Sequence, residues 1–556
     1  MTVVVAMAPA LAVGENVFRR VIERVTSLDP VETASVYASR CVAMTYETLY
    51  EYDHEARPYR LQPLLATAMP SVSPDGLEYV IAIDTNAVFA SDPCFGPQPR
   101  HVTAEDAVFS FKRLADVKTG SSGYWLVSGS VDGIETFHEA SKGQDPTDYD
   151  MEVPGLSAPS PDKLVIRLRA PNPVFGWLLA MPYMSIVPRE AVEAYGARFR
   201  EHPVGTGPYV LAEWRRNHMM TYSRNPLWRG WRGAGDGHFD RIVFPLIDDP
   251  STQWLSFLAG ELDVQGEIPR DNWESAVMPD GTLAPELARR GVRLFTAPTL
   301  EVSYIGINMA DPVLGGNRKL RQALNAAFDP VRWREFHRGR TLEANGPVPP
   351  TVAGAVTNAL PYGRGVEAAR RLLEEAGYPG GRDPATGRRL RLVLDLGKTT
   401  QEMRESTELL VSFMDAVGIE LVPEYSNWPT FLKKVSERRS QMFRIAWVGD
   451  YPDAENFLQL FYGPNASPGP NRCNYSNPIF DDLYRKAMVA QDVAVREELH
   501  RRMQEIVRED SPWIFMSFPT SASLCQSSVL GYTPHDFPYG MEKHLRRGEK
   551  PKTRDE

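Results

Sequence analysis

Short β-like runs alternate with amphipathic helical stretches that stop at glycine, and this alternation decides what the chain can fold into. Tyr304-Ile305-Gly306-Ile307-Asn308 reads as a strand, followed after a loop by the helical face Leu320, Leu324, Ala327 and Phe328. Ala368, Leu372 and Leu373 then run to a stop at Gly377, and Leu410, Phe413, Met414 and Val417 run to a stop at Gly418. Earlier, Thr103 opens a helix with Glu105 and Asp106 in its first turn and Val108, Phe111 and Leu114 on its apolar face. Asp249-Pro250 supplies an N-cap and first position for another helix, closing at Gly260. Strands alternating with helices give an α/β class. Residues 91–100 and 141–162 are rich in Pro, Gly, Asp and Ser, with short β-like runs such as Leu164 to Leu168, so this region reads as a loop-heavier insertion.

At 556 residues the chain is too long for one simple core. Two Pro-bearing segments, Thr296-Ala297-Pro298-Thr299 and Asp510-Ser511-Pro512, are candidate crossings between lobes. The net charge, 61 minus 71 or −10, makes nucleic acid and anionic membrane poor partners. No apolar run reaches the ~20 residues of a membrane-spanning helix. The first 13 residues carry no charged side chain, and Ala10-Leu11-Ala12 resembles a small-residue cleavage site, so an exported protein beginning near Val13 to Glu15 is expected, with no lipid-accepting cysteine. A buried first strand is the alternative. Cys41, Cys94, Cys473 and Cys525 have no zinc or redox spacing, and an even count in an exported chain permits disulfides in three connectivities. No metal or cofactor is implied.

Chemistry concentrates at residues 443–457. Phe443, Ile445 and Trp447 alternate as a half-buried strand that leads through Val448-Gly449 into Asp450, Tyr451, Pro452 and Asp453. An acid just past an apolar strand end, flanked by rings that exclude water, suits an ammonium ion. An ordinary Asp-Tyr-Pro-Asp surface turn is the alternative. No His-Glu-x-x-His, Gly-x-Ser-x-Gly, phosphate loop or dinucleotide fingerprint occurs, which argues against an enzyme. Gly205-Thr206-Gly207 continues as a strand through Pro208-Tyr209, so it does not cradle phosphate at a helix N-terminus.

His202 to Leu211, containing Gly205-Thr206-Gly207-Pro208-Tyr209, resembles the signature of the peptide-binding family of ABC-importer solute-binding proteins. Tyr46 to Leu49, Val102 to Asp106 with Ser110 to Arg113, Gly260 to Asp263, Arg321 to Leu324 with Asp329, Ala368 to Pro379 and Asn477 to Asp481 follow in the family's order. The resemblance covers about Ser27 to Phe518. It implies a type II periplasmic-binding-protein fold: lobe I from 14–45, 195–297 and 511–545, an inserted domain at 46–194, lobe II at 298–510, a possible signal remnant at 1–13 and a charged tail at 546–556. It further implies a monomer outside the cytoplasmic membrane that closes on a di- to oligopeptide and delivers it to a permease. Asp450, after Trp447-Val448-Gly449, matches the aspartate that anchors a peptide's free amine in relatives. Trp428 and Arg444 match cleft-lining positions, as does Tyr124, and Arg404 matches a carboxylate-binding arginine of dipeptide binders. A disulfide that some relatives carry beside the pocket falls at Glu301 and Val448, where it cannot form. Core packing for Trp428 and a solvated outward position for Arg444 are the alternatives to cleft roles. The same fold carries oligosaccharide, opine and metal-chelate binders, and a ligand-sensing receptor or chaperone role is the rival from another class.

Overall fold

The computed structural model describes residues 16–33, 35–231 and 237–548. The expected signal segment at 1–13 and residues 549–556 of the tail lie outside them. Among the described residues the chain forms two compact units. The first holds the chain up to Glu55, Leu61–Phe295 and the part from Ala522 on; the second holds Ala56–Arg60 and Thr296–Ser521.

The first unit contains a four-stranded sheet in the order Val17–Arg19, Arg241–Pro245, Met219–Arg224, Tyr209–Arg215. The first two are parallel and the rest antiparallel. Phe18, Tyr209, Tyr222, Ile242 and Phe244 form its core. The Gly-Thr-Gly-Pro-Tyr segment leads into the Tyr209 strand past the end of the helix Val36–Thr45. There Gly207 donates its N–H to the Thr45 carbonyl at 2.7 Å, and a Cβ on Gly207 would lie 2.6 Å from that carbonyl carbon. Close backbone approach therefore explains this motif. Residues 46–194 contribute a separate antiparallel sheet in the order Ser71–Val72, Glu78–Ala82, Lys163–Arg167, Leu156–Ser160. Beside it runs the helix Ala104–Ala115, whose N-cap Thr103 and Asp106 form the expected capping box.

The second unit is built on strands β1 (Glu301–Ile307), β2 (Arg391–Leu396), β3 (Glu420–Tyr425), β4 (Met442–Val448) and β5 (Trp513–Gln526). Their order is β5-β1-β4-β2-β3. β2 is parallel to both β3 and β4, whereas β1 is antiparallel to β4 and β5. Helices α1 (Gln401–Asp415) and α2 (Trp428–Ser436) follow β2 and β3. Ile305, Leu324, Leu394, Leu410, Phe413 and Met442 belong to one buried core that joins this sheet to its helices.

Two expectations are corrected. Asp510-Ser511-Pro512 is not a crossing, because the chain returns to the first unit only after Ser521. Ser511 instead stops the helix Val493–Asp510 in a left-handed conformation (φ 50°), its N–H bonded to the Val507 carbonyl at 2.9 Å. β5 then pairs with β1 from Trp513 onward, which keeps it in the second unit. The cysteines form no disulfide: all four are free thiols. Cys41 lies 3.5 Å from the Met220 sulfur, Cys473 accepts the Trp513 indole N–H at 3.1 Å, and burial pushes the Cys41, Cys473 and Cys525 thiols up to about 12.

Candidate functional site

Because β2, β3 and β4 are parallel, their carboxyl ends share one edge of the second unit, the edge at which open α/β sheets place ligands. Seven of the eight residues nominated by sequence lie on β4 or just beyond this edge. Trp447 and Val448 end β4, with Gly449 and Asp450 following. Trp428 opens α2 after β3, and Arg404 lies in the first turns of α1 after β2. Arg444 sits within β4, opposite Leu396 of β2. Tyr124 belongs to the first unit, where its ring stacks on His138 at 4.0 Å.

Gly449 is required by close approach. Its N–H bonds to the Leu300 carbonyl at 2.8 Å, and a Cβ would lie 2.7 Å from the Leu300 side chain. The chain then turns and leaves the Asp450 side chain reaching water. Protein packed around the acid still raises its carboxyl above the usual range, and a hydrogen bond from Asn456 opposes that rise. Among the described residues no Lys, Arg or His pairs with Asp450, so its charge is available. Val448 is 64% exposed, and its cross-strand partner is Glu301.

Trp428 is 45% exposed, with its ring stacked on Phe431 at 5.4 Å and packed against Gly397. One face of the indole is therefore supported and the rest is open, which differs from a packed core corner. Arg404 is exposed and lies 4.8 Å over the Tyr425 ring. Arg444 is not a solvated outward residue. Its guanidinium lies 5.0 Å over Trp333 and donates to Ser406 Oγ at 2.8 Å and Met403 Sδ at 3.3 Å. Burial lowers its pKa to about 10, and no carboxylate forms an ion pair with it among the described residues.

Sequence reasoning placed Tyr451 and Asp453 beside Asp450 as loop residues, and the structure assigns both to the support of that loop. Tyr451 is buried and donates to Glu455 Oε2 at 2.6 Å. Asp453 caps helix α3 (Ala454–Leu458) by accepting the Glu455 N–H at 2.9 Å. Arg496, on helix α4 (Val493–Asp510), grips its two oxygens at 2.7 Å each. Burial alone would raise the Asp453 carboxyl, but Arg496 holds it below the usual range. Glu455, Asn456 and Arg496 were missed from sequence; the acid preceding Ala454 and Phe457 was the available N-cap signal. A separate cavity of about 330 Å³ in the first unit, lined by Trp228, Trp231, His238, Lys543, His544 and Arg546, contains none of the nominated residues.

Residues 60–469 match the family described as Bacterial extracellular solute-binding proteins, family 5 Middle. The chain belongs to this family. Among curated relatives it is 26% identical to Heme-binding protein A of Haemophilus influenzae over 490 residues, 86% of this chain and 83% of that protein. It is 25% identical to Di/tripeptide-binding protein 2 of Pseudomonas aeruginosa over 512 residues, 88% and 89% of the two chains. Of solved structures, the unliganded open form of the periplasmic murein tripeptide binding protein MppA matches with a TM-score of 0.80 at 21% identity, covering 96% of this chain and 98% of that one. HbpA2 from Haemophilus parasuis matches at 0.79 and 24%, covering 96% and 100%. These structural likenesses establish the type II periplasmic-binding-protein fold. Its family is one of solute-binding proteins, and no helix among the described residues is long and apolar enough to cross a membrane.

Proposed function

We propose that this member of the family captures small peptides outside the cytoplasmic membrane and hands them to the permease of an ABC importer, with Asp450 as the anchor for the ligand's free amine. The observation that carries this reading is Asp450 itself: an acid at the carboxyl edge of three parallel strands, partly desolvated and, among the described residues, not neutralised by any basic side chain. An ammonium ion bound there donates to the Asp450 carboxylate a charge-assisted hydrogen bond that no basic side chain among the described residues supplies. Arg444, a guanidinium with no carboxylate ion pair among the described residues, and Arg404 offer cationic partners for a ligand carboxylate, and the open indole of Trp428 offers a stacking surface. Di/tripeptide-binding relatives of similar length support a peptide as ligand. Tyr124 and the division of the first unit into a lobe with an inserted domain at 46–194 remain part of the proposal.

Mass spectrometry of whatever co-purifies with the protein tests the ligand class. Short peptides are the expected result. A sugar, a metal chelate or a tetrapyrrole would overturn the peptide reading, the last in keeping with the name of the Haemophilus relative.

A further inference from the structure

Asn456 has one side-chain carbonyl, and two donors converge on it: the Trp447 indole N–H at 2.9 Å and the Asp450 backbone N–H at 3.2 Å. Neither group can accept a hydrogen bond, so the amide has only one sensible orientation. Its Nδ2 then faces the Asp450 carboxylate, 3.4 Å from Oδ2. The residue is 1% exposed and acts through these neighbours. It is itself held in place. Asp453 caps its helix under the two-pronged grip of Arg496, while Glu455 accepts hydroxyl hydrogen bonds from Tyr451 and from Tyr484 on the neighbouring helix.

We propose that Asn456 is a positioning residue for ligand capture, aiming the Asp450 carboxylate and tying it to the Trp447 indole so that a cationic ligand group meets a preset acid. The proposal rests on the reading of Asp450 as the amine anchor. No other side chain of this size does the same work. Leucine would leave the two part-buried donors without this acceptor, aspartate would set a second carboxylate against Asp450, and glutamine would place its amide one methylene too far along.

The test uses the full chain, trialanine and N-acetyl-trialanine as probes, and the titration of Asp450 followed by NMR of carboxyl-labelled aspartate, its signal assigned by its loss in Asp450→Asn. The Asn456 hydrogen bond favours the ionised carboxylate, so in Asn456→Ala the Asp450 titration should move to higher pH. The acid limb of trialanine binding should move with it. Trialanine affinity at neutral pH should fall about 10- to 100-fold, with N-acetyl-trialanine little affected. Asn456→Ser, which keeps a shorter donor and acceptor, should fall between, and it carries the test if the alanine variant does not fold. A folded variant with unchanged Asp450 titration and unchanged trialanine affinity overturns the positioning role alone. Undiminished trialanine binding by Asp450→Asn overturns the anchor reading instead, whatever Asn456 does. Should trialanine not bind the wild type, the Asp450 titration still decides whether Asn456 sets that carboxylate.

Discussion

At the scale of single residues, function and stability pull in opposite directions at Asp450 and Arg444. Burial raises the Asp450 carboxyl pKa, so the folded protein holds a proton more tightly than the unfolded chain does. Its ionised form therefore costs stability at neutral pH, and that cost disappears as pH falls below the unfolded value and both states are protonated. Asp450→Asn should leave the melting temperature at pH 7 equal or slightly higher, with no difference at acid pH. For a ligand amine the same change removes a close partner charge, and affinity should drop roughly 30- to 5,000-fold, about 2–5 kcal/mol. Isothermal titration with free and N-acetylated tripeptide reads this directly: equal binding of both by the wild type would make Asp450 a turn residue. Arg444 follows the same logic with the opposite charge. Its guanidinium is desolvated over Trp333, and the Glu402 charge offsets this only in part, with no ion pair to Arg444 among the described residues. Arg444→Met keeps the apolar stem and should hold or raise the melting temperature, because a buried charge gives way to packing. Affinity for a peptide should fall, and much less for its C-terminal amide; equal losses for acid and amide would remove Arg444 from carboxylate recognition.

At the scale of elements, helix starts were the most legible feature of the sequence. Thr103 with Asp106 and Asp249-Pro250 both cap helices, since a polar side chain before an apolar periodic run has few other uses. The central strand β4 was readable from the alternation of Phe443, Ile445 and Trp447. What failed was punctuation whose meaning depends on distant contacts. Asp510-Ser511-Pro512 reads alike whether a helix stops or a chain changes lobe, and only the pairing of β5 with β1 distinguishes the two. Asp453 looked like loop acid because its partner, Arg496, is 43 residues away. That ion pair now predicts the behaviour of α3. With side chains 14% and 9% exposed, it is nearly buried, and Arg496→Met strands the Asp453 charge, which should destabilise by about 3–5 kcal/mol at pH 7. Arg496 depresses the Asp453 carboxyl, so the pair's contribution is present above the unfolded pKa and lost as pH falls through the folded one. The gap in chemical stability between wild type and Arg496→Met should accordingly close in acid; a gap that persists there would mean the arginine acts by packing.

At the scale of the whole molecule, the chain divides into two units whose cores are distinct, so their unfolding need not be one event. β5 runs from one unit into the other, with Trp513 to Ser521 in the second and Ala522 to Gln526 in the first. Calorimetry of the ligand-free protein should therefore show either two overlapping transitions or one broadened by incomplete coupling. A ligand that binds only the folded state adds RT ln(1 + [L]/Kd), about 2.7 kcal/mol at one hundred times Kd. Where that increment appears tells which unit holds the ligand. If the peptide touches only the edge carrying Asp450, Trp428 and Arg404, the transition of the second unit alone should move. If it is held by both units, as closure of two lobes on a solute requires, both transitions should rise together and sharpen, and the radius of gyration from scattering should shrink with ligand. Asp450→Asn should then weaken the shift of both transitions at a fixed peptide concentration, because one contact contributes to a state both units share. A peptide that shifts only one transition, with an unchanged scattering profile, would show that this chain binds its ligand without closing on it.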